Sequence, residues 1–335
     1  MPLITDHNKV LEVFHEAGER KWVLPSFNAE NLTTVEAILE AVNDYGRVVG
    51  INNLPIIIGI TNNYSHRPQS VYYTQTRRWE IGLRLFLSDL QVLTSPNSPY
   101  SKLRVMIHLD HIQWDEDKEL LKWDMNQFSS IMYDASNLPL EENIQKTSAF
   151  VEKYADKIVI EGACDEIVKV RSQEKNDGFT TPEMAERYYR ETGVDIIVAN
   201  LGTEHRATVS NLQYQSKLAR EIKKRIGPHL CLHGATSLSP KKIKNLYDDG
   251  ICKVNVWTVL ERDSSPALFH DMLQNAAKIV GSEKAKELLY EELLGKQADY
   301  NSAPFLDYFT TTYRQGIIFQ RMKKIITKYL VSWYV

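Results

Sequence analysis

Three of the nine histidines in the chain, His111, His205 and His233, each stand at the end of a β-rich run, and His111 directly follows an aspartate, Asp110. Three imidazoles gathered from separate elements hold a zinc ion and leave a fourth position open for substrate, which is the catalytic arrangement. Taken singly, each is as readily a lone hydrogen-bonded histidine, and that plain reading is kept for His7, His15, His66, His229 and His270. Taken jointly, their placement favours a metal. His108 lies earlier in the run that ends at Asp110 and reads as a residue that orients a ligand or fills the core. The other polar residues at run ends are Asn28, Thr61, Asp134 with Ser136, Glu161, Gly234 after His233, and Asn255 with Thr258.

These residues share one mouth only if the runs that carry them are strands of one sheet. Eight β-rich runs are readable, at 23–28, 54–61, 103–110, 129–134, 158–163, 195–201, 230–233 and 252–256. Most are continuous in Val, Ile and Leu, as in parallel strands buried on both faces. Helical stretches alternate with them, after an opening helix over 6–21. Thr33-Thr-Val-Glu36 reads as a capping box, and Thr181-Pro182 and Ser239-Pro240 place a hydroxyl cap before a proline at the first helical position. Gly193, Gly227 and Gly250 stop helices just ahead of strands. Eight strand–helix units close a (β/α)8 TIM barrel, whose active site lies at the carboxyl ends of the strands. An open doubly wound sheet is the alternative, but no GxGxxG follows the first strand. Two segments exceed the minimal barrel. One is the connection 62–102, with a helix over 76–93; the other is a tail beyond 280 with a Tyr- and Phe-rich patch. The expected division is a barrel over 1–280 and a helical extension over 281–335 that packs on the barrel or a sister subunit.

Composition excludes several classes of function. Forty basic residues against 43 acidic ones in 335 give a formal charge of −3, without the basic excess of a nucleic-acid binder. No apolar run approaches the roughly 18 residues of a membrane span, and the first residues lack the apolar core of a signal peptide. Three dispersed cysteines, Cys164, Cys231 and Cys252, provide no disulfide framework and no CxxC site. A reduced, cytoplasmic protein is expected.

At the run ends the sequence resembles a known family. Ile107-His-Leu-Asp-His111, Ser130-Ile-Met-Tyr-Asp-Ala-Ser136, Asn200-Leu-Gly-Thr-Glu-His205, Leu232-His233-Gly234-Ala235 and Lys253-Val-Asn-Val256 look like the strand-end motifs of the class II, zinc-dependent fructose-bisphosphate and tagatose-bisphosphate aldolases. Phe27-Asn28 and the run Leu138-Pro139 to Glu141-Glu142-Asn143 fit too, and the resemblance covers about residues 6–280 in the expected order. It implies one zinc per subunit on His111, His205 and His233, with a monovalent cation as an option. The substrates would be a dihydroxyacetone-phosphate-like ketose and an aldehyde. Asp110 would shuttle the proton at the hydroxyl made or broken with the C–C bond. Asn255 would contact the donor, and Gly234, Thr236, Ser237 and Thr258 would bind its phosphate through hydroxyls and backbone N–H groups. Asn28 and Thr61 would line the same cavity. Relatives of this kind assemble as homodimers or homotetramers.

Departures from the family pattern bear on the substrate. The fifth-strand Glu-x-Glu is here Glu161-Gly-Ala-Cys-Asp165, so Ala163 replaces the second carboxylate; either three histidines suffice for the metal or a carboxylate from elsewhere, Glu161 or Asp134, assists. The loop that supplies the proton-abstracting glutamate is not recognisable; Glu166 and Glu174 are the candidates. Arg206 follows His205 where the family has glycine, and its guanidinium is suited to a carboxylate or phosphate. The expected acceptor is therefore not glyceraldehyde 3-phosphate but, for example, aspartate semialdehyde in secondary metabolism. Four alternatives stay open: fructose- or tagatose-bisphosphate cleavage, a Schiff-base aldolase on a desolvated Lys253, a zinc hydrolase, and a non-catalytic companion subunit.

Overall fold

The computed structural model of the chain describes residues 3–165, 178–203, 214–235, 238 and 243–334. Eight parallel strands close into a barrel in chain order: β1 (Leu24–Asn28), β2 (Pro55–Thr61), β3 (Arg104–Gln113), β4 (Ser130–Asp134), β5 (Val159–Ala163), β6 (Ile196–Val198), β7 (Leu230–Leu232) and β8 (Ile251–Val256), with β1 pairing β8. The (β/α)8 architecture expected from the alternating runs is the one adopted. The strands are short and almost wholly buried, because helices cover them outside and side chains fill the barrel inside.

Helix boundaries follow local chemistry, with one correction. The helix after β1 spans Leu32–Val49 and is capped by Asn31, whose Oδ1 accepts the Thr34 N–H at 3.2 Å. Thr33 is therefore inside the helix and not at its cap; an asparagine two residues upstream outcompetes it. Thr181 does cap the helix Pro182–Thr192, and Gly193 ends it in the left-handed region at φ 72°. The expected cap at Ser239 lies outside the described residues. The connection after β2 carries the helices Gln69–Tyr72 and Trp79–Leu93.

The C-terminal helix Thr311–Trp333 packs against Leu32–Val49 and against Thr258–Gln274, the helix that follows β8. Its end plugs the amino end of the barrel. Trp333 is 2% exposed, its carbonyl accepts the Val23 N–H at 3.3 Å, and its indole donates to the Ile243 carbonyl at 3.2 Å. Tyr334 donates to the Pro55 carbonyl and meets Trp22 edge-on at 5.1 Å. In the chain between β8 and the C-terminal helix, the helices Ala276–Val280 and Ser282–Tyr290 build a small apolar cluster of their own around Ala277, Ala285 and Leu294. No helix among the described residues is long and apolar enough to cross a membrane. All three cysteines are free thiols, two of them buried.

Candidate active site

The barrel mouth depends on an irregularity in β3. In a regular strand successive side chains point to opposite faces, so Asp110 and His111 would not share a cavity. Here the ladder to β4 shifts register between Leu109 and Ile112, and His111 takes a left-handed backbone at φ 49°. A bulge of this kind re-aims a side chain next to a site, at a backbone cost of about 1–3 kcal/mol. The result is that a carboxylate oxygen of Asp110 and ring nitrogens of His111 and His233 all lie within 4.8 Å of one another. The three residues are 3–4% exposed. The two imidazoles meet edge-on with centroids 4.9 Å apart, and Tyr64 stacks on His111 at 4.2 Å.

Each imidazole has a carboxylate behind it. Asp134 Oδ2 sits 3.0 Å from His111 Nδ1 and is itself held by Gln113 Nε2 at 2.9 Å, while its Oδ1 accepts the Ser136 hydroxyl at 2.6 Å. Glu161 Oε1 sits 3.2 Å from His233 Nε2. Such partners fix tautomer and ring orientation for a metal ligand; here they engage Nδ1 of His111 and Nε2 of His233. Burial pulls the His233 pKa down and keeps that ring neutral, the form a metal requires. His111 is pushed up; burial opposes this, but the charges of Asp110 and Asp134 outweigh it. Two imidazoles converging beside an anionic carboxylate suit a first-row divalent ion such as zinc, so the residues present fit the metal, with His111 and His233 as ligands and Asp110 next to them. The third expected ligand, His205, lies outside the described residues, as do Arg206, Glu166, Glu174, Thr236 and Ser237.

Asp110 is held from two sides. Its Oδ2 accepts Asn28 Nδ2 and its Oδ1 accepts Asn255 Nδ2, both at 2.7 Å. Burial would raise its pKa, yet His111, His108 and His233 hold it well below the usual carboxylate range. It is held as an anion between two amide donors. Asn28 reaches it because Gly59 on β2 lacks a side chain; a Cβ there would collide with Asn28 Oδ1.

Below the mouth the barrel interior is polar. Lys253 is fully buried, and its Nζ lies 2.8 Å from Glu161 Oε2, 2.6 Å from Asn255 Oδ1 and 3.2 Å from His108 Nε2. The last contact, with the Ser130 hydroxyl 2.9 Å from His108 Nδ1, gives His108 the orienting and core role expected of it. Burial lowers the Lys253 pKa, but the surrounding anionic groups, Glu161 and Asp110 among them, reverse that and leave it raised. A Schiff-base lysine must be a neutral amine, so that alternative does not fit the geometry. Glu161 is likewise committed to Lys253 and His233. It also falls in a deeper group with Cys231 and His233, where burial pushes the Cys231 thiol well up and keeps it an un-ionised, poor ligand. Glu161 sits behind His233, 3.2 Å from its Nε2, and is grouped with Cys231 and His233 instead of with Asp110 and His111.

Asn28, Thr61, Gly234, Asn255 and Thr258 all line the same cavity as Asp110 and the two histidines. Thr61 contributes mainly to its own loop, its hydroxyl accepting the Gln69 N–H at 3.0 Å and donating to the Arg67 carbonyl. Residues singled out by no motif complete the lining: Tyr64, His66, Arg67 and Gln69 from the connection after β2, and Trp257 beside Thr258. The length of that connection is the signal that points to them, since long loops on compact barrels carry sites.

Glu261, in the first turn of the helix after β8, faces the pair of Glu30 and Arg67. Burial and the Glu30 charge raise its carboxyl to about 7, against the pull of Arg67. A carboxyl raised on folding adds stability that is full below the ordinary value of 4.5 and is gone once pH rises through about 7. Glu261→Gln is therefore expected to match the parent near pH 4.5 and to exceed it by about 2–3 kcal/mol at pH 8, read from urea unfolding at the two pH values.

Comparison with known proteins shows the family. The model of the class II fructose-bisphosphate aldolase family matches residues 8–303. A fructose-bisphosphate aldolase of Staphylococcus epidermidis is 30% identical over 313 residues, covering 90% of this chain and 99% of that protein, and one from Staphylococcus aureus matches to the same extent. Among solved structures, a fructose-bisphosphate aldolase from Campylobacter jejuni superposes with a TM-score of 0.73 at 19% identity, over 99% of this chain and 95% of the other. The YdjI aldolase of Escherichia coli does so at 0.66 and 17%, over 96% and 95%. At those identities the structural likeness bears on the fold.

Proposed function

The chain belongs to the class II fructose-bisphosphate aldolase family, and from that premise we propose that it is a zinc-dependent aldolase joining dihydroxyacetone phosphate to an aldehyde. The observation that carries the reading is the convergence of Asp110, His111 and His233, with Asn255 bonded to Asp110. His205 would be the third ligand. A zinc ion there supplies Lewis-acid polarisation of the donor carbonyl. The chain supplies the rest. Asp110 takes the proton from the substrate hydroxyl when the C–C bond breaks and returns it when the bond forms. Asn255, held between Lys253 and Asp110, presents its amide to the donor. Gly234 and Thr258, with Thr236 and Ser237, hold the donor phosphate, and Glu166 or Glu174 abstracts the donor C–H proton. The Arg206 and Ala163 departures support an acceptor other than glyceraldehyde 3-phosphate, such as aspartate semialdehyde. Cleavage of fructose or tagatose bisphosphate is the alternative that the relatives' names favour.

The barrel with its plug forms one subunit of a homodimer or homotetramer in this reading. The exposed Phe269, Tyr290, Leu293, Phe305 and Leu306 on and beyond the helix after β8 support such an interface. A cytoplasmic setting with small phosphorylated substrates, without nucleic acid or membrane, completes the proposal. Purified protein is to be assayed with dihydroxyacetone phosphate and a panel of aldehydes, before and after chelation. Turnover that disappears on chelation and returns with zinc is the expected result. Best turnover with glyceraldehyde 3-phosphate would overturn the acceptor assignment, and chelator-insensitive turnover the metal dependence. A companion subunit without activity would show neither turnover nor stoichiometric metal.

A further inference from the structure

We propose that Arg67 selects the acceptor, its guanidinium holding an anionic group, carboxylate or phosphate, on the aldehyde that condenses with the donor. The inference rests on the aldolase reading and adds a residue to it from a part of the chain that carries none of the motifs.

Three observations point there. The first is preorganisation. Glu30, itself 5% exposed, takes Arg67 Nε with both carboxylate oxygens at 3.0 Å and also accepts from Nη2. The guanidinium lies over the Tyr72 ring at 4.3 Å, and the Thr61 hydroxyl donates to the Arg67 carbonyl. One edge of the planar fork is thereby fixed, and Nη1 makes no hydrogen bond to the described residues. A guanidinium clamped along one edge keeps donors for a second anion in a set direction.

The second observation is placement. Arg67 lines the cavity that holds Asp110, His111, His233 and Asn255. The third is direction. If Asp110 serves the hydroxyl formed with the new bond, the acceptor carbonyl lies against Asp110. Asp110 Oδ2 is bonded to Asn28 Nδ2, which also contacts Gln69 Oε1 at 3.3 Å, two residues from Arg67. An acceptor that extends from Asp110 along the Asn28–Gln69 side reaches Arg67, while the donor phosphate is assigned to Gly234 and Thr258 at β7 and β8. Charge is compatible with an incoming anion. Arg77 also stacks on Tyr72, at 4.5 Å, and the nearby Glu261 carboxyl titrates close to neutrality, so it can take up a proton as the anion arrives.

The test uses the zinc-loaded full chain and the variants Arg67→Gln and Arg67→Lys. Condensation with dihydroxyacetone phosphate is measured for glyceraldehyde 3-phosphate, succinic semialdehyde and uncharged glyceraldehyde. Exchange of the donor C–H proton with deuterated solvent, without any acceptor, is followed alongside. Arg67→Gln is expected to lower kcat/KM by roughly 10- to 100-fold for the charged aldehyde that the parent prefers, the range for losing a hydrogen bond to a charged group. Glyceraldehyde and donor exchange should change less than about threefold, and Arg67→Lys should recover part of the loss. Which charged aldehyde is most affected tells carboxylate from phosphate. Equal losses for all three aldehydes, a matching loss of donor exchange, or no loss at all would overturn the proposal. A parent protein that neither exchanges the donor proton nor joins any aldehyde would overturn the aldolase reading, and this proposal with it.

Discussion

Asp110→Asn is expected to lower kcat for C–C bond cleavage by roughly 10²–10⁴-fold, the range for a positioned general acid–base group. The substitution keeps the size of the side chain and removes its ability to carry a proton. It also sets an amide against Asn28 Nδ2 and Asn255 Nδ2, two donors that now share a carboxylate at 2.7 Å each, so one of them must turn away. Donor C–H exchange belongs to a different proton and should fall far less than cleavage. Steady-state cleavage and deuterium exchange on the same preparation separate the two. Equal losses in both would mean that Asp110 serves the donor half of the reaction and not the hydroxyl at the new bond.

The second large effect is on stability. Lys253→Met removes the cation of an ion pair whose two side chains are 0% and 1% exposed. Breaking such a pair leaves Glu161 as a buried charge without its counterion and typically costs about 3–5 kcal/mol. Glu161→Gln in the same chain neutralises the orphan and should return most of the loss. Activity should not return with it, since Lys253 also holds Asn255 Oδ1 and thereby turns Asn255 Nδ2 toward Asp110. Urea unfolding of the two single variants and the double variant reads the coupling directly. A cost under about 1 kcal/mol for Lys253→Met would show that the pair is not the support of the site described above.

How much of this was legible in the chain depends on the range of the interactions involved. The strands were readable because continuous Val, Ile and Leu runs are a local signal, and Asp110, His233 and Asn255 fell at their ends. His111 was readable as a strand-end residue, but its position facing the cavity depends on a bulge, and no residue type marks one here. The expected strand also stops at Asp110, whereas β3 runs on to Gln113. Thr33 misled as a cap because Asn31 offers a competing side chain two residues earlier. The ion pair of Glu161 with Lys253 is not legible because the two lie 92 residues apart and meet only across the closed barrel. Lys253 looked like a desolvated nucleophile for the same reason: its pKa is decided by neighbours that only the closed barrel supplies. Arg67 and Gln69 carried no motif, and only the length of their connection set them apart.

The central claim is that His111 and His233, with Asp110 beside them, form the base of a divalent cation site. The measurement that tests it most directly is cobalt(II) titration of chelator-stripped protein, followed by the visible absorption of the bound ion, in the parent and in His111→Ala and His233→Ala. The account predicts one equivalent per chain in the parent, and binding at least about 10-fold weaker in each variant, since even partners behind a ligand contribute 10- to 100-fold. Undiminished stoichiometric binding in both variants, or no binding by the parent, would contradict it.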